Sequence, residues 1–124
     1  MAAEQLRLRV IAENIRNAQA TSPTGPYTRR AVVFREVLGD EPNGPKLAGV
    51  SAAEIVEDRS APYKILHQPG HPHADAQGNV TYPNVDIITE MVDMIAASEA
   101  YAAHTQVFAS GRQMTQRALE LLRT

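Results

Sequence analysis

Three histidines and an aspartate fall inside nine residues, at His67, His71, His73 and Asp75. Imidazole and carboxylate are ligands for zinc and related transition metals. A catalytic metal needs three of them and one open position. Pro69, Gly70 and Pro72 break the same run into turns. Nothing adjacent supplies the outer hydrogen bonds that orient metal-bound imidazoles. The competing reading is a solvated loop. Glu54, Glu57 and Asp58 could pair carboxylates for acid–base work, but a solvated strand end accounts for them more simply. His104 stands alone in a helical stretch. Ser60, Ser98 and Ser110 lack the G-x-S-x-G setting of a nucleophile. No glycine-rich phosphate loop is present. With no cysteine, thiolate catalysis, cysteine zinc sites and disulfides are excluded. Nothing here reads as catalytic, and no cofactor is expected.

Asn14 and Asn17 are the other polar oddity, set among apolar residues on a helical stretch. A buried Asn fixes register and partner choice at some cost in stability. Asn also favours helix ends, and Asn17 falls close to one.

The elements that position these residues follow from proline and glycine. All eight prolines lie between Pro23 and Pro83, and six of the seven glycines between Gly25 and Gly78. Helix interiors tolerate neither residue well. The pattern predicts a helix, an irregular β-rich middle and a second helix. We divide the 124 residues at 1–22, 23–83 and 84–124.

The C-terminal segment carries the strongest periodicity. Ile87, Met91, Met94, Ser98, Tyr101, Thr105, Phe108, Arg112, Thr115, Leu119 and Leu122 follow one another in steps of four and three. That is the seam of a helix coiling around a partner. A second stripe runs beside it through Ile88, Val92, Ile95, Ala102 and Ala109. Asp86 is a suitable N-cap. From Ile87 to Leu122 the helix would be roughly 54 Å long. A compact domain of this size is shorter, so one end must project or pack outside the monomer. The N-terminal helix, from Ala2 to about Ala20, has stripes at Leu8, Ile11, Ile15 and Ala18 and at Ala3, Leu6 and Val10. Its apolar arc is roughly 200° wide, broader than an ordinary surface helix shows, which predicts more than one neighbour. In the middle, residues 29–37 and 53–57 read as strands, with shorter candidates at 63–66 and 79–82. Turn formers fill 22–26, 39–45 and 69–78. The fold class is α+β: terminal helices paired as a coiled-coil-like unit around a small irregular β element.

Composition limits function further. Aromatics make up 5% of residues and there is no Trp, so the chain alone buries a thin core. A net charge of −2 gives no electrostatic case for nucleic acid or an anionic membrane. No apolar run approaches the ~18 residues of a membrane span. No basic segment leads into an apolar one as in a cleaved secretory signal.

The ends and middle together resemble a known family. The stretch QLRLRVIAENIRNA at residues 5–18 is similar to the N-terminal signature of bacterial flagellar rod and hook proteins. The blocks Pro69-Gly70-His71-Pro72, Ala74-Asp75-Ala76-Gln77-Gly78 and Tyr82-Pro83-Asn84-Val85-Asp86 resemble its proximal-rod branch. So does the run from Glu90 to Ser98, followed by Tyr101. Arg16 stands where that family usually has a small residue, and its members usually extend upstream of the position of Met1. The resemblance implies a non-catalytic structural subunit of the basal-body rod. Its terminal helices would line the inner layer of a helical tube that crosses the periplasm and carries torque from motor to hook. It implies export without a cleaved signal. The implied partners are copies of itself, other rod proteins and proteins at the MS-ring and export-gate junction, with no direct membrane span. The assembly interface expected on this reading comprises Leu8, Ile11, Asn14, Ile15, Asn17, Met91, Met94, Ile95, Tyr101 and Phe108. The alternatives are a metal-binding module or enzyme using the histidine loop, or a soluble coiled-coil regulator that closes as a dimer.

Overall fold

The structure is a computed structural model that describes residues 2–37 and 49–123. The turn formers expected at 39–45 lie outside the described residues.

Helix α1 spans Ala2–Arg16. It stops where Asn17 bonds back to the Glu13 carbonyl through both its backbone N–H and its side-chain amide. Strands β1 (Arg30–Val37) and β2 (Gly49–Glu57) form an antiparallel pair from Arg30↔Glu57 to Val37↔Gly49. The register slips between Val33 and Phe34, the position of a β-bulge. Strand β2 starts earlier than the Val/Ile-rich run at 53–57 because pairing with β1 recruits weaker strand formers. Strands β3 (Lys64–His67) and β4 (Asn79–Tyr82) form a second antiparallel pair. The long helix α2 spans Ile87–Leu122. Asp86 caps it, accepting a bond from the Ile88 N–H at 3.1 Å.

Helices α1 and α2 run antiparallel. Asn14 meets Glu90 at one end and Gln5 meets Tyr101 at the other. The 15 residues of α1 reach about 22 Å, well under half the length of α2. Residues 102–123 of α2 are exposed throughout. The projection required by helix length is therefore present. The core is thin, as composition implied: Val10, Ile11, Ala18, Val80, Pro83, Val85 and Ala97 are its buried apolar side chains among the described residues. The wide apolar arc of α1 finds its several neighbours inside the chain, since α1 packs on α2, β1 and β2.

The row of α2 turned towards α1 is offset from the expected seam. It runs through Glu90, Met94, Ala97 and Tyr101, with Glu90 and Ala97 fully buried. The second stripe, at Ile88, Val92 and Ile95, faces away from α1 and is exposed. The reason is Glu90: a paired carboxylate holds this helix in place, and apolar periodicity cannot reveal that.

Candidate functional site

Beneath the helix pair lies a polar joint. Asn14 is fully buried and its amide makes four hydrogen bonds. Its Nδ2 donates to the Arg30 carbonyl (2.8 Å) and to Glu90 Oε2 (3.1 Å). Its Oδ1 accepts from the Tyr27 hydroxyl (2.9 Å) and the Arg30 N–H (3.0 Å). That is the full capacity of an asparagine. Glu90 is equally buried, and its other oxygen takes the Arg29 Nε at 2.5 Å. Arg29 also pairs with Asp58 at 2.8 Å and approaches Asp93 at 3.8 Å. Asn84 completes the joint, accepting the Arg29 N–H and donating to the carbonyls of Asp58 and Ala61. One connected network thus fastens α1, α2, the start of β1 and the end of β2.

Electrostatics follow from this geometry. Burial works against the Arg29 charge, but hydrogen bonds to and charges on Glu90 and Asp58 outweigh it, and its pKa stays above the ordinary value. Asp58 is held below its usual carboxylate range, chiefly by the Ser60 hydroxyl and N–H and then by Arg29. Burial raises the Tyr27 phenol. Each oxygen of the buried Glu90 carboxylate accepts a hydrogen bond, which offsets part of its desolvation and fixes one arrangement. Losing either member of the Arg29–Glu90 pair leaves an uncompensated charge. The joint holds four elements together and contains no activated nucleophile.

The histidine loop does not converge on a point. His67 Nδ1 faces Asn79 Oδ1 at 3.2 Å, and His71 Nδ1 accepts the His73 N–H at 3.0 Å. His73 Nδ1 meets the Thr21 hydroxyl at 2.8 Å. Asp75 Oδ1 accepts the N–H groups of Gln77 and Asn79. These bonds shape the turn between β3 and β4. Among the described residues no three His, Asp or Glu side chains are grouped as metal ligands. Of the three carboxylates near the end of β2, Glu54 and Glu57 do lie on the surface, in pairs with Arg35 and Arg59. Asp58 is instead half-buried on Arg29.

The residues expected at an assembly interface divide into three groups. Ile11 and Asn14 are buried within the chain. Leu8, Ile15, Asn17, Met94 and Tyr101 are half-buried. Met91, Ile95 and Phe108 are 50%, 60% and 66% exposed. Sequence reasoning missed Arg29, Asn84 and Glu90 as a set. The signal available was a run of polar residues beside apolar ones in the Pro-Asn-Val-Asp block and at the start of α2. Arg16, the departure from the family pattern, is exposed and leaves the helix contact undisturbed.

Comparison with known proteins decides the family. A family model described as flagellar basal body rod FlgEFG protein C-terminal matches residues 76–121, which include β4 and nearly all of α2. The flagellar basal-body rod protein FlgC of Salmonella typhimurium is 40% identical over 123 residues, covering 98% of this chain and 89% of that one. The chain belongs to the FlgC family of flagellar basal-body rod proteins. FlgC relatives from Borreliella burgdorferi and Agrobacterium fabrum are 36% and 35% identical. Those alignments cover 98% and 97% of this chain, and 90% and 86% of the relatives. As a FlgC-family member the chain is a structural component of the basal-body rod and not an enzyme. No helix among the described residues is long and apolar enough to cross a membrane.

Proposed function

We propose that this FlgC-family chain builds the proximal rod by helix-to-helix assembly. The observation that carries the reading is the outer half of α2: residues 102–123 project beyond α1, and Val107, Phe108, Met114, Leu119, Leu121 and Leu122 are all more than half exposed. Exposed apolar area on this scale marks a surface that another chain covers. The exposed residues Met91, Ile95 and Phe108 contribute directly. Leu8, Ile15, Asn17, Met94 and Tyr101 border the same surface, and Ile11 and Asn14 support it from below. Residues 1–22 and 84–124 form the inner layer, and 23–83 stand outside it.

Copies of this chain, other rod proteins and the proteins at the MS-ring and export-gate junction are the partners in this reading. Subunits join through unlike surfaces, and such contacts propagate as an open helix. The assembled tube carries torque through buried helix contacts.

The test is motility. Ile95→Asp or Phe108→Asp places a charge on a surface buried only in the rod. Each variant chain should keep its helix content by circular dichroism while swimming is lost. Normal swimming with both variants would sink the proposal.

A further inference from the structure

The histidine loop holds one bond that a proton would break. His71 Nδ1 accepts the backbone N–H of His73 at 3.0 Å. An imidazole nitrogen accepts only while it carries no proton, and in the charged ring both nitrogens donate. The bond therefore needs a neutral His71. That ring is half-buried on an ordered turn, in which the His71 carbonyl accepts the Ala74 N–H at 3.0 Å. The His73 ring points out of the turn. Its Nδ1 meets the hydroxyl of Thr21 at 2.8 Å, on the connector between α1 and β1. A hydroxyl donates to a neutral imidazole and accepts from a charged one. This second bond can survive protonation of His73, whereas the first cannot survive protonation of His71.

Turn and connector face each other across a cleft lined by Thr21, Ser22, Pro26, His73, Asp75 and Asn79. Among the described residues the Thr21–His73 contact is the hydrogen bond that joins them. The groups around the two rings are few. Asp75 is the carboxylate of the turn, and its Oδ1 is taken by the Gln77 and Asn79 N–H groups. His67, from β3, turns its Nδ1 to Asn79 Oδ1 at 3.2 Å. Tyr82, from β4, stands edge-on to His71 with ring centroids 6.4 Å apart, and its hydroxyl donates to Gln68 Oε1. The connector has no charged side chain from Thr21 to Thr28. Its Tyr27 hydroxyl is bonded to Asn14. The His71 and His73 rings lie 5.5 Å apart, so charges on both repel.

We infer that His71 is a proton-sensitive latch between the β3–β4 turn and the α1–β1 connector. Neutral, it holds His73 where the ring reaches Thr21. Charged, it releases the His73 N–H and frees the turn from the connector. Imidazole changes charge between about pH 5 and 8. The latch is closed at the alkaline end of that range and opens as pH falls. The change is local. The joint of Asn14, Arg29 and Glu90 contains no histidine, so the helix pair stays in place while the turn is released.

The experiment is NMR of the dilute full chain, titrated from about pH 8 to about pH 5. The ring nitrogens of His71 should show a bare Nδ1 at the alkaline end. As His71 takes its proton, the His73 amide proton should move upfield with the same midpoint, and the Thr21 signals should follow. His71→Asn puts an amide oxygen near the Nδ1 position and cannot titrate. Its His73 amide should lose most of that movement, although the His73 ring still titrates. His71→Ala should show the released His73 shift at every pH. The amides of Glu90 and Ala97 should hold still throughout, as the control for an intact fold. The latch is overturned if the wild-type His73 amide does not track His71. It is equally overturned if His71→Asn moves as the wild type does, or if His71→Ala keeps the bonded shift. Thr21 signals that stay fixed while the His73 amide moves would overturn the coupling to the connector.

Discussion

Asn14 and Arg29 show how much one side chain decides here. Asn14→Leu removes four hydrogen bonds and strands the Arg30 N–H, the Tyr27 hydroxyl and a Glu90 oxygen. The expected loss is about 3 kcal/mol or more by urea denaturation. Arg29→Leu leaves Glu90 buried without its cation, and about 3–5 kcal/mol should be lost. A change under 1 kcal/mol in both variants (within the range of ordinary surface substitutions) would mean that the joint does not hold the fold together. Asp58 adds an acid limit. Its folded pKa lies below its ordinary 3.8, so its contribution is complete above that value and is lost as pH falls through the folded one. Ser60→Ala removes a hydrogen bond to the carboxylate and should move the Asp58 titration upward, read from its side-chain carbon by NMR. An unmoved titration would show that the Ser60 hydroxyl does not set it.

At the scale of elements, the β3–β4 hairpin depends on Gly78. Its φ is +80°, and an added Cβ would lie 3.1 Å from Pro69 Cβ and 3.2 Å from His67 Cε1. Gly78→Ala should cost about 1–2 kcal/mol from the left-handed backbone alone. The Gln68 amide, which bonds to the Gly78 carbonyl at 2.8 Å, should exchange its hydrogen faster. Unchanged exchange at Gln68 would show that the turn tolerates a side chain. The helices contrast with this. Asp86 caps α2, and the proline-free ends were legible as helices because periodicity and capping are local properties. The bounds of α2 match the sequence pattern at both ends. Strand β2 did not, since its first residues owe their conformation to β1.

For the whole molecule, the imbalance between 15 and 36 helical residues matters most. Residues 87–101 of α2 lie against α1 and the joint, whereas 102–123 are exposed throughout. Most helical stability in proteins comes from packing of an apolar face rather than from propensity. Amides beyond 102 should therefore exchange much faster than those near Ala97 in the dilute chain, and gain protection as the chain assembles. Equal protection along α2 in the dilute chain would mean that the projecting half is stable unaided.

The sequence by itself determined that helices stand at both ends with a punctuated β-rich middle, that the core is thin, and that α2 is too long for its own domain. These follow from spacing, composition and rise per residue, which need no knowledge of distant contacts. The family signature was legible for the same reason. Only the tertiary structure decided which row of α2 turns inward. Apolar periodicity favoured Met91 and Ile87 for the seam, yet Glu90 is buried and Met91 is exposed. Glu90 is held by Arg29 and Asn14, which lie 61 and 76 residues away in the chain. A carboxylate reads as solvent-facing until its cation and amide are found. That pairing exists only once the chain has folded, and it leaves Ile95 on the outer face of the helix.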